Sequence, residues 1–167
     1  MWNLILTVRQ KKRMLKIVEK MRELAREMLR TKLINEVKAK ILDLNNAIKS
    51  FKDEDVSINR LIAICEFKKS EVKENDPRKE SIIKAENETI ENAKKNLETV
   101  NKNIEELNAE IVKKMDYITK IESGEVKMDA YELNNVANEL IDEHYRGKAR
   151  IWNAIEKEEV KSQEVAK

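Results

Sequence analysis

Glycine and proline are nearly missing from this 167-residue chain, with two of the first and one of the second. Average usage would supply roughly 12 Gly and 8 Pro, so turns must be few and short. A single cysteine, Cys65, excludes an internal disulfide and a cysteine-based zinc site; it suits a reducing compartment, and a cytoplasmic location is expected. A single histidine, His144, excludes the two Glu-x-x-His motifs of a di-iron bundle, and Ile141 stands where even one copy would need its glutamate. With glycines only at 124 and 147, no glycine-rich phosphate loop is possible. Cys65 acting as a nucleophile would need His144 as its base, and no third group is indicated to orient that base. Catalysis, a metal site and a cofactor are therefore not expected. Aromatic residues make up only 4% of the chain, too few for a thick globular core. Long apolar runs are also missing. The stretch from Trp2 to Val8 is too short to span a bilayer, and its positive charges follow it instead of preceding it, so neither a transmembrane span nor a signal peptide is expected there.

What the chain does contain is helix-forming sequence. Ala, Glu, Lys, Leu and Arg account for 84 of the 167 residues, the mark of long helices and coiled coils. Charged residues reach 40%, but 18 isoleucines at regular spacing set the chain apart from a disordered one. The expected fold class is all-α. It is read as elongated helical hairpins forming an antiparallel coiled coil, with residues 1–167 as one helical unit. Helices are expected at about 3–51, 57–75, 77–123, 129–146 and 148–162, giving a long, short, long, short order with a terminal extension. The abundance of Lys, Ile and Asn hints at an AT-rich source such as a phage or mobile element.

Local signals set those boundaries. In the first helix, Met14, Ile17, Met21, Leu24 and Met28 alternate at spacings of three and four. A parallel stripe of Leu15, Val18, Ala25 and Leu29 widens this apolar face beyond a coiled-coil seam, so two neighbours are expected for it. The register slips by one residue near Thr31–Leu33, where a bend is expected. A strict seam then runs through Ile34, Val37, Ile41, Leu44, Ile48 and Phe51. The acidic stretch Asp53, Glu54 and Asp55 reads as a connector, and Ser57 as the N-cap of the next helix. Asp76 and Pro77 mark a firm restart. The third helix carries Ile83, Ile90, Leu97, Ile104, Ile111 and Ile118 every seven residues, with Ala93, Val100, Leu107 and Ile121 in the alternate seam position. Ser123 and Gly124 end it with a left-handed turn. Asp129 and Glu132 form a capping box for a helix that turns Leu133, Val136, Ala137, Leu140, Ile141 and Tyr145 inward. Gly147 stops or kinks that helix, and Ile151, Trp152 and Ile155 extend its stripe. His144 shares a face with Ala137 and Leu140 and reads as a seam residue, as Cys65 reads as a small apolar filler.

Two groups of residues stand out for interaction. The first is the seam Ile83, Ile90, Leu97, Val100, Ile104, Leu107, Ile111, Ile118 and Ile121. Glu86 and Lys114 interrupt its second position, and a parallel homodimer would set Lys114 against Lys114. An antiparallel partner avoids that repulsion. The second group is Arg9, Lys11, Lys12, Arg13 and Lys16, which precede any acidic residue. Residues 1–40 hold 12 Lys or Arg against 4 Asp or Glu, a net +8, while the remaining 127 residues sum to −6. Within that stretch, Glu19–Arg22, Glu23–Arg26 and Glu27–Arg30 are spaced for local ion pairs. The expected function is a non-enzymatic protein–protein interaction factor: an adaptor, assembly factor or inhibitor that also forms a homo-oligomer. Nucleic-acid binding through the basic group is the alternative. A third reading attaches the same segment to a membrane surface through Trp2, Leu4, Ile5, Leu6 and Val8.

Overall fold

The computed structural model describes the backbone of residues 7–165 and the side chains of residues 7–147. Among the described residues the protein is all-α, with three helices and no strand. α1 spans Val8–Glu71, α2 spans Lys79–Glu122 and α3 spans Ala130–Val165. The long, short, long, short order is thereby corrected, because two expected breaks are helical.

The first correction concerns residues 52–56. None of them is Gly or Pro, and the apolar spacing does not lapse: Phe51, Asp55, Ile58, Ile62, Cys65, Lys69 and Val72 follow one another at fours and threes, each buried or half-buried. Asp55 simply takes a seam position, where Asn59 donates to its carboxylate one turn later. Ser57 caps nothing; its hydroxyl donates back to the Asp53 carbonyl at 3.1 Å, as serine does inside a helix. The second correction is at Gly147, which lies within α3 in helical conformation. Glycine weakens a helix interior by about 1 kcal/mol relative to Ala, a cost that a 36-residue helix absorbs.

The true boundaries have identifiable chemistry. Thr7 and Gln10 form a capping box: Gln10 N donates to Thr7 Oγ1 at 3.2 Å, and Thr7 N donates to Gln10 Oε1 at 2.9 Å. Asp76 opens α2, accepting from Arg78 N at 2.8 Å through its carboxylate and from Lys79 N at 3.1 Å through its carbonyl. Gly124 closes α2 at φ +82°, with its N–H donating to the Ile121 carbonyl at 3.2 Å. Asp129 opens α3 by accepting from Tyr131 N at 2.7 Å and Glu132 N at 3.3 Å.

The chain divides into two compact units, Met1–Ile34 with Ile121–Lys167, and Asn35–Lys120. The core of the second comprises Val37, Ile48, Cys65, Ile90, Ala93 and Val100. The core of the first comprises Ala25, Leu29, Ile121 and Ala137. Small residues at Ala25, Ala93 and Ala137 are among the most deeply buried, which fits helices meeting along narrow seams.

Candidate interaction surfaces

In the Asn35–Lys120 unit, every residue of the expected α2 seam up to Ile118 is buried or half-buried: Ile83, Ile90, Leu97, Val100, Ile104, Leu107, Ile111 and Ile118. Ile121, at the edge of the other unit, is fully buried. The two charged interruptions also point inward, and both have partners. Lys114 pairs with Glu110 at 3.7 Å. Glu86 accepts from the Cys65 thiol, and this contact, with burial and the negative charge of Glu86, pushes the thiol pKa above its ordinary range. A raised pKa is the opposite of what a reactive cysteine needs. On α1, Lys69 pairs with Glu66 at 3.4 Å. Between the helices, Lys40, Asp43 and Leu44 of α1 line one open cleft with Glu110 and Lys114 of α2.

The same unit leaves a second apolar face uncovered on α1. Val56, Ile64 and Phe67 are 50%, 52% and 64% exposed, although they recur at helical spacing away from the seam.

In the other unit, the five bases Arg9, Lys11, Lys12, Arg13 and Lys16 are all exposed. Because Thr7 caps the helix, Arg9, Lys11, Lys12 and Arg13 occupy its first two turns and Lys16 opens the third, and no acidic residue stands in the first. Cations at that end oppose the helix dipole. The expected local ion pairs do not form: among the described residues, no salt bridge involves Glu19, Glu23 or Glu27. Of the two apolar stripes, the structure buries Ala25 and Leu29 and leaves Met14, Leu24 and Met28 at 38%, 46% and 48% exposure. On α3, Leu133, Val136, Ala137, Leu140, Ile141, His144 and Tyr145 turn inward as the spacing suggested. The rings of His144 and Tyr145 meet edge to face at 5.5 Å. Among the described residues of this unit, three buried polar atoms have no hydrogen-bond partner: Arg30 Nε, His144 Nε2 and Tyr145 Oη.

No group of three or more His, Cys, Asp or Glu among the described residues is placed to hold a metal ion. No helix among them is long and apolar enough to cross a membrane. Trp2, Leu4, Ile5 and Leu6, the apolar half of the membrane reading, lie outside the described residues, as do the side chains of Ile151, Trp152 and Ile155. Sequence reasoning missed the Thr7-x-x-Gln10 box, whose signature was present, and the seam continuing through Asp55, which an acidic residue concealed. No protein-family model matches the chain, and neither a curated protein nor a solved structure matches it.

Proposed function

We propose that this chain is a non-enzymatic helical interaction factor of the cytoplasm, whose framework is an antiparallel coiled-coil hairpin and whose exposed apolar stripes engage other proteins. Support for the hairpin comes from matched steps along the two helices. Cys65 of α1 meets Glu86 of α2, and Lys40 of α1 shares a cleft with Glu110 and Lys114 of α2. Moving 25 residues back along α1 therefore corresponds to moving 24 to 28 residues forward along α2. Equal steps in opposite senses are the signature of antiparallel helices in register.

The single observation that carries the interaction reading is the exposure of apolar side chains at helical spacing on two separate stretches of α1. Scattered exposed apolar residues need no explanation, but ordered stripes mark binding surfaces. The deciding experiment is affinity capture of the tagged full chain from its native host, with and without nuclease. Recovery of a stoichiometric protein that survives nuclease supports the reading. If nothing associates under either condition and the chain does not self-associate, the reading fails.

A second reading, a nucleic-acid-binding accessory factor, is favoured by the exposed bases at the start of α1. Five phosphate contacts would give duplex affinity a log–log salt slope of about −4.5. Changing Arg9, Lys11, Lys12, Arg13 and Lys16 to Gln should then abolish binding and leave the helical signal intact. Duplex affinity that does not respond to salt removes this reading.

A further inference from the structure

The Met14, Ile17, Met21, Leu24 and Met28 stripe carries a charge pattern along its outer edge. Arg9, Arg13, Lys16, Lys20, Glu23 and Glu27 follow one another at steps of four and three, so they form one line beside it. All six are exposed. The opposite edge of the stripe is formed by Leu15, Val18, Ala25 and Leu29, of which Ala25 and Leu29 are buried in the unit's own core, Val18 is half-buried and Leu15 is exposed. The exposed edge thus reads as four bases followed by two acids, bordering an apolar seam that is covered on one side only.

We infer that this stripe is the interface for a second copy of the chain, with the two α1 helices running antiparallel about a two-fold axis near Lys20 and Met21. This rests on the interaction reading above and names its surface. A two-fold contact is self-complementary, so residue i meets j and j meets i. Antiparallel pairing brings Arg13 to Glu27 and Lys16 to Glu23, each contact occurring twice. Parallel pairing about a two-fold axis would instead carry the two charged lines to opposite sides of the contact, where they form no such pairs. The seam itself suits such a contact, since three of its five side chains are methionines that adapt to an opposing surface. The same arrangement accounts for Glu23 and Glu27, which form no ion pair within the described residues.

The test is an exchange of charges on exposed positions, read by light scattering and sedimentation equilibrium across micromolar dilutions. The unaltered chain should be a dimer. Arg13→Glu with Lys16→Glu places acids against acids, and Glu23→Lys with Glu27→Lys places bases against bases. Each double variant alone should dimerise about tenfold more weakly or worse, with unchanged helical signal. Mixed in equal amounts, they should recover a one-to-one dimer, because all four contacts are then opposite in sign. Failure of the mixture to recover overturns the antiparallel pairing. If the unaltered chain dimerises and neither double variant weakens it, the dimer uses another surface; the inference falls and the interaction reading stands. A monomer that still captures a nuclease-resistant partner does the same. A monomer that captures nothing overturns both.

Discussion

The Asn35–Lys120 unit and the unit formed by Met1–Ile34 with Ile121–Lys167 are built from the same kind of helix yet treat their polar groups differently. In the first, four charged residues at seam positions have partners. Asp55 accepts from Asn59, Lys69 pairs with Glu66, Lys114 with Glu110, and Glu86 accepts from Cys65. In the second, Arg30 Nε, His144 Nε2 and Tyr145 Oη are buried without one. The apolar pattern differs in parallel. A seam at strict three and four spacing runs along both helices of the Asn35–Lys120 unit, with Val56, Ile64 and Phe67 left exposed away from it. Residues 14–29 carry two stripes offset by one residue, of which Ala25 and Leu29 are buried while Leu15, Leu24 and Met28 remain 63%, 46% and 48% exposed. A seam that repeats without ambiguity leaves few choices of register. A doubled stripe leaves surface to spare, which is where a partner has something to bind.

The largest effect is expected from placing a charge in the seam of the Asn35–Lys120 unit. Val100 is 4% exposed, so Val100→Asp should cost about 3–5 kcal/mol by burying an unpaired carboxylate. The expected readout is a large drop in the thermal midpoint of the helical signal. An unmoved midpoint would show that the seam is open to water.

Next in size is the contrast between paired and unpaired polar groups. Tyr145→Phe removes a buried hydroxyl that has no partner, so it should stabilise the protein by about 1 kcal/mol in a urea titration. A loss of similar size would mean that the hydroxyl is bonded in solution, and the difference between the units would narrow.

The two glycines sharpen the comparison inside one unit. Gly124 sits at φ +82°, with Arg30 Nη2 3.5 Å from where a Cβ would stand. Gly124→Ala therefore strains the backbone without a clash and should cost about 1 kcal/mol. Gly147 is helical and has nothing within 4 Å of an added Cβ. Gly147→Ala should stabilise by about 0.5–1 kcal/mol. Equal effects of one sign would contradict the different conformations of the two positions.

The smallest effect is alkaline. The Cys65 pKa is raised in the folded state, chiefly by the Glu86 contact. The native chain therefore keeps this proton at pH values where the unfolded chain has lost it. Its contribution is complete below the ordinary thiol range and is lost as pH rises toward the folded value. Above neutral pH, the urea midpoint of the unaltered protein should fall more steeply than that of Cys65→Ala. Parallel slopes would remove Glu86 as the thiol's partner.

Sequence alone determined the helical class, the α2 seam from Ile83 to Ile121, the turn at Gly124 and the caps at Asp76 and Asp129. Each is a local matter: a seven-residue repeat, a left-handed residue, or a carboxylate two or three positions before free N–H groups. It misjudged residues 52–56 and Gly147 because composition suggested breaks there, whereas tertiary packing continued to reward helix. Phe51 and Ile58 are both half-buried, the acidic turn between them is helical, and Asp55 finds Asn59. Only the tertiary structure decided which side chains of the two stripes at residues 14–29 turn inward. Ala25 and Leu29 were chosen over Leu24 and Met28 because a small residue lets helices approach closely, and that gain exists only when the second helix is present. The same choice fixed which apolar and charged side chains of α1 remain in water, the surface on which the inferred dimer depends.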